Sequence, residues 1–163
     1  MKKLLIIMFL VVGLSVLTGC SSLRRSATGH FEEALENIFE GMDLTSDDVE
    51  IHEVEWFSVT FEQEYDDEES YATVIVYYLN MTLEEEAIEL LYYYAYVEDE
   101  DGEVDYDFYD VDFGDKSDFE SFVESYEEDL EAAEADGEVY RYRSATGSIR
   151  SGTANRALRR VLD

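Results

Sequence analysis

Residues 88–113 read IELLYYYAYVEDEDGEVDYDFYDVDF, and the parsing of this run decides the fold. Leu83, Ala87, Leu90, Leu91 and Tyr94 fit one stripe of a helix behind a Thr82-to-Glu85 capping box. Tyr92, Tyr93, Tyr94 and Tyr96, however, are residues that pleated strands favour, and they lead straight into Asp99-Glu100-Asp101-Gly102, a hairpin signal. A strand from about Ile88 is therefore expected. Its partner, Glu103 to Phe113, alternates Val104, Tyr106 and Phe108 with Asp105 and Asp107, then changes phase to Tyr109, Val111 and Phe113. That change predicts a bulge near Phe108 and Tyr109.

Working outward from this hairpin, Tyr71 to Met81 is β-rich with Val74, Val76 and Tyr78 on one face, and Asp66 to Ser70 reads as the turn before it. Val49 to Glu62 changes parity twice, from Val49 and Ile51 to Val54 and Trp56 and then to Phe57, Val59 and Phe61, which predicts a bulged, strongly twisted strand. Before it, Phe31, Ala34, Leu35, Ile38, Phe39 and Met42 recur at helical spacing up to Gly41 or just beyond. After it, Ser117 with Glu120 reads as a capping box, and Phe119, Phe122, Val123, Tyr126 and Leu130 form the stripe of a helix to about Ala135. The expected architecture is α+β: an antiparallel sheet of about four strands, with an N-terminal and a C-terminal helix packed on one face. This order of elements resembles the small cystatin-like and nuclear-transport-factor-like domains carried by many bacterial lipoproteins. The resemblance implies a fold, and a fold alone implies no function.

Met1 to Cys20 has a different character. Lys2 and Lys3 precede an apolar run from Leu4 to Leu17, and the segment ends in Leu17-Thr18-Gly19-Cys20. The run is shorter than the roughly 20 residues a spanning helix prefers. The segment resembles the bacterial lipoprotein signal, with its Leu-small-Gly-Cys lipobox. The resemblance implies peptidase recognition through Leu17, Thr18 and Gly19, diacylglycerol on the Cys20 sulfur, and cleavage before Cys20. The remaining chain is then expected on the exported face of a membrane, in the cell envelope. Ser21 lacks the aspartate that commonly retains such proteins in an inner membrane, which points toward an outer membrane. The expected division is a signal peptide over 1–19, a linker over 20–29, an acidic α+β domain over 30–138 and a basic tail over 139–163.

Charge is segregated along the chain. Of 41 Asp and Glu residues all but Asp163 lie between Phe31 and Glu138, where Lys116 is the sole base. In dilute buffer such charge repels itself. At roughly 1 M salt the Debye length falls to about 3 Å and the repulsion is screened, so adaptation to high salt is the simplest reading. A multivalent-cation site and an acidic face for a basic partner are the sharper ones. Nucleic acid is excluded as a partner, because phosphate binding needs Lys and Arg. Disorder is also excluded, since 14% of the residues are aromatic and 46% apolar.

From Val139 the composition reverses, with Arg141, Arg143, Arg150, Arg156, Arg159 and Arg160 and no acid until Asp163. Thr153 to Leu162 is amphipathic, with Ala154, Ala157, Leu158, Val161 and Leu162 opposite the arginines. A frayed terminus, a helix on anionic lipid, a dock on the acidic body, a partner site and a last strand around Arg143 are all compatible with it. Arg25-Ser26-Ala27-Thr28-Gly29 recurs as Arg143-Ser144-Ala145-Thr146-Gly147, a repeat with no physical explanation at the level of sequence.

The chemistry-bearing residues are few. Cys20 is taken by lipid, and His30 and His52 are the only histidines, so nucleophilic and zinc sites lack their parts and an enzyme is not expected. A carboxylate pair says nothing where acids are this abundant. No cofactor is expected except Ca2+, for which Asp99, Asp101 and Asp105 offer clustered oxygens, as do Asp66, Asp67, Glu68 and Glu69, although neither follows the EF-hand spacing. Tyr92, Tyr94, Tyr96 and Tyr106 are the candidate ligand face for a protein or small molecule, against the alternative that they fill a covered sheet. The reading is a lipid-anchored, non-enzymatic binding module, with a divalent-cation-dependent structural or adhesive module as the alternative.

Overall fold

A computed structural model describes residues 26–65, 68–99 and 101–163, with the backbone alone described for 63–65, 68–69 and 105–106. Helix α1 (Phe31–Ile38) is followed by strands β1 (Val49–Tyr65), β2 (Glu68–Leu83), β3 (Glu86–Glu98) and β4 (Val104–Phe113), then helix α2 (Lys116–Ala135), strand β5 (Arg141–Ile149) and helix α3 (Ser151–Leu162). The strands form one antiparallel sheet in the order β4-β3-β2-β1-β5. The fold is α+β, with five strands where about four were expected.

The extra strand comes from the segment expected to be a separate basic tail. β5 pairs with β1 from Val54↔Ile149 to Glu62↔Arg141, and α3 packs behind it on β1 and α1. Because β4 and β5 both run opposite to strands that are themselves alike in direction, they are parallel to each other and sit at opposite edges. No hairpin can join such strands, so a crossover is required, and α2 supplies it.

The helices lie on both faces of the sheet, not on one. Phe31, Ala34 and Leu35 of α1 and Ala154, Ala157 and Leu158 of α3 share a core with Ile51, Trp56, Ile75, Tyr77 and Tyr92. Phe119, Tyr126 and Leu130 of α2 share the opposite core with Phe57, Val59, Val76, Tyr78 and Leu91. The reason lies in the central strands: neighbours such as Tyr77 and Tyr78, or Leu90 and Leu91, point to opposite faces, and all of them are buried. A strand apolar on both parities needs cover on both sides.

The same fact corrects the expected bulges. In β1 the register slips once, between Ile51 and Glu53, and then continues unbroken to Tyr65. The second parity change, from Trp56 to Phe57, is not a bulge but the result of both faces being buried. In β4 the register runs evenly through Phe108 and Tyr109, and the bulge falls instead at Asp105, the extra residue between the pairs Tyr106↔Val97 and Val104↔Glu98.

Local signals were also displaced by a few residues. α1 stops at Ile38 rather than near Gly41, and the capping box of α2 is Asp115 with Asp118, not Ser117 with Glu120. The β2–β3 hairpin turns through Glu84 and Glu85 at φ 47° and 73°, a left-handed conformation that is costly for residues with a Cβ. The Glu84 amide donates to the Asp48 carbonyl at 2.8 Å, which helps hold the turn there.

Candidate interaction surface

The tyrosines expected to face a ligand are in the core. Tyr92, Tyr94 and Tyr96 are 1%, 6% and 9% exposed, so they form no open groove. Their alternation on β3 points them at α1 and the helical turn at 26–29, where the Asn37 side-chain amide donates to the Tyr92 hydroxyl and His30 lies over the rings of Tyr94 and Tyr96. Tyr77 beside them donates to the Ala27 carbonyl. Burial pushes Tyr92 up to about 12, partly offset by Asn37, and raises Tyr77 and Tyr94 as well. These hydroxyls are structural hydrogen-bond ends on apolar rings. The side chain of Tyr106 lies outside the described residues, although its backbone pairs with Val97.

The expected cation ligands do not converge either. Asp99 turns its Oδ1 onto the amides of Asp101 and Glu103, both at 2.9 Å, and so closes the hairpin itself. Asp101 is exposed, while the Asp105, Glu68 and Glu69 side chains and all of Asp66 and Asp67 lie outside the described residues. Among the described residues no group of three or more His, Cys, Asp or Glu is placed to hold a metal ion. Leu17, Thr18, Gly19 and Cys20 also lie outside them. Among the described residues no helix is long and apolar enough to cross a membrane. His52 is the extra residue where β1 slips against β2, and its exposed ring bonds Thr82 Oγ1 at 2.7 Å.

What is exposed is the β4 edge. Val104, Phe108, Tyr109, Val111 and Phe113 are 56%, 39%, 42%, 39% and 83% exposed, and Met42 beside them is 51% exposed. Tyr109 stacks on Tyr92 at 6.0 Å between ring centroids and donates to Glu40, whose charge holds the phenol above its ordinary range. At the end of the strand a groove of about 130 Å³ opens between the C-terminal end of α1 and the sheet, lined by Phe39, Met42, Leu83, Ile88, Val111 and Phe113. No local signal announces it. An alternating strand looks the same whether it lies at an edge or inside a sheet, and only the strand order shows that β4 has one neighbour among the described residues.

The polar faces differ from this edge. A second groove, of about 430 Å³, runs along α2 beside β1 and β5 and is lined by Glu55, Glu120, Glu124, Glu127, Glu131 and Thr146. Lys116 Nζ spans Glu53 and Glu55 at 2.6 and 2.7 Å, and these hydrogen bonds hold its ammonium well above the ordinary lysine range. On the opposite face of β1, Trp56 Nε1 and Ser58 Oγ are buried and have no hydrogen-bond partner among the described residues.

Comparison with known proteins adds no analogy to this geometry: no family model, no curated protein and no solved structure matches the chain.

Proposed function

We propose that the protein is a lipid-anchored, extracytoplasmic binding module that works without catalysis and is built for salty surroundings. The observation that carries the binding reading is the β4 edge, where five large apolar side chains stand exposed on one strand of a chain with formal net charge −30. A chain so acidic has ample polar residues with which to cover an edge, and an exposed apolar strip rimmed by charge is the usual form of a partner surface. The anchoring reading rests on the lipobox at Leu17 to Cys20, and the salt reading on the excess of acids over bases. The earlier candidate face on β3 is replaced in this reading by the neighbouring strand.

Labelling with a palmitate analogue in a bacterial host tests the anchor. The wild-type chain takes the label and sediments with membranes, and Cys20→Ala loses both. Label retained by Cys20→Ala, or none on the wild type, overturns it. Thermal unfolding in graded sodium chloride tests the salt reading, with a midpoint that climbs toward 1 M as the Debye length shrinks to about 3 Å. A flat midpoint would remove salt adaptation from the proposal.

A further inference from the structure

The open backbone of β4 and its two side-chain faces specify what it would bind. Gly114 donates to the Glu89 carbonyl, continuing the ladder of even-numbered residues toward β3, whereas the Val111 amide is met by the carboxylate of Asp110. In an antiparallel pair such residues alternate, so Asp107, Tyr109, Val111 and Phe113 direct their amides and carbonyls away from the sheet. The side chains of the same odd-numbered set lie on the α1 face, where Tyr109 meets Tyr92 and Val111 and Phe113 line the groove. On the α2 face stand Asp110 and Asp112, whose charges, after burial, help to push Tyr93 up to about 12. Toward Phe113 the edge is thus apolar on one face and anionic on the other.

We infer that β4 accepts an added strand from a partner polypeptide in which apolar residues alternate with lysine or arginine. The apolar residues would lie beside Tyr109, Val111 and Phe113, and the cations beside Asp110 and Asp112. Main-chain bonds supply affinity in such strand addition and the alternating side chains supply specificity. A second copy of this chain is the wrong occupant. Antiparallel pairing of two β4 edges would set the Asp110 and Asp112 carboxylates of both copies on one face, and like charges across a ladder are destabilising. The inference names the partner class for the binding module proposed above and rests on that reading.

The test uses the full chain in zwitterionic detergent micelles and three synthetic peptides: one alternating valine with lysine, one with glutamate in place of lysine, and one with the first composition in blocks. The alternating cationic peptide should bind at least about tenfold more tightly than either control, a difference of about 1.4 kcal/mol. Hydrogen exchange should slow at Tyr109, Val111 and Phe113. Val111→Pro removes one outward amide without touching the β3 ladder and should abolish the binding, and Phe113→Ser should weaken it. Asp110→Asn with Asp112→Asn should weaken it mainly at low salt. Equal binding of the block peptide, protection on α2 instead of β4, or binding that survives Val111→Pro would each overturn the inference. Because lipidation of Cys20 is read by palmitate labelling alone, a failure of strand addition is distinguishable from a failure of the anchor.

Discussion

The two edges of the sheet are built to opposite rules. β5 is basic at its start, with Arg141 and Arg143, and several of its groups are matched by the body: Arg141 with Glu62, Ser144 with Glu127, and Gly147 against the indole of Trp56. Where β5 ends opposite Val54, the side-chain amide of Asn155 from α3 takes over the ladder, accepting from the Ile51 amide at 2.9 Å and donating to the Ile51 carbonyl at 2.8 Å. β4 is acidic, and its large side chains stay in water although a groove lies beside them. Both are edge strands of one sheet. The difference teaches that edge position alone does not force apolar exposure, because β5, an edge like β4, leaves no large apolar side chain exposed between Arg141 and Ile149.

Deleting residues 140–163 should break the comparison most severely. It removes β5 and α3 and uncovers the face of β1 that carries Ile51, Val54 and Trp56. Cooperative unfolding, followed by circular dichroism, should be lost. An intact transition would mean that the edge is an ornament and not part of the core.

Alkaline pH is expected to be nearly as disruptive. Burial, the largest cause for each, pushes Tyr78, Tyr92 and Tyr93 up to about 12, where the unfolded chain ionises near 10. A neutral phenol retained in the fold contributes stability that is present in full below pH 10 and is lost as pH rises toward 12. Absorbance at 295 nm should therefore show these tyrosines ionising together with unfolding, and a titration complete near pH 10 with the fold intact would contradict their burial.

Single substitutions sharpen the contrast. A Cβ at Gly147 would lie 2.4 Å from Trp56 Cζ2, so Gly147→Val should lower stability by about 3 kcal/mol in urea unfolding. Asn155→Ala leaves the Ile51 amide and carbonyl without their partner and should cost about 2 kcal/mol. At the other edge, Phe113→Ser changes a side chain that is 83% exposed and should shift stability by no more than about 0.5 kcal/mol. A loss as large as that of Gly147→Val would show Phe113 to be core, and the binding role of β4 would fall with it.

Much of the fold was legible because local chemistry and final environment agree. The β3–β4 hairpin declared itself in Tyr92 to Tyr96 followed by Asp99 and Gly102, and Gly102 does adopt φ 80°. α2 announced its buried stripe through Phe119, Tyr126 and Leu130. The candidate site was less legible. Tyr92 and Tyr109 carry the same side chain on neighbouring strands, yet one is 1% and the other 42% exposed. Nothing local distinguishes them, since the difference is whether another element lies beyond.

By itself the sequence determined which segments pleat and which coil between Phe31 and Ala135, because residue period and turn chemistry act within a few positions. It also determined an acidic body whose one lysine is Lys116, and an N-terminal segment that resembles a lipoprotein signal. Only the tertiary structure decided that Arg141 to Ile149 closes the sheet beside β1, that the helices divide between its two faces, and that β4 is left with one neighbour. These are matters of long-range pairing. A strand carries the same pattern wherever it docks, and its burial is settled by which surfaces remain to be covered once all the elements are in place.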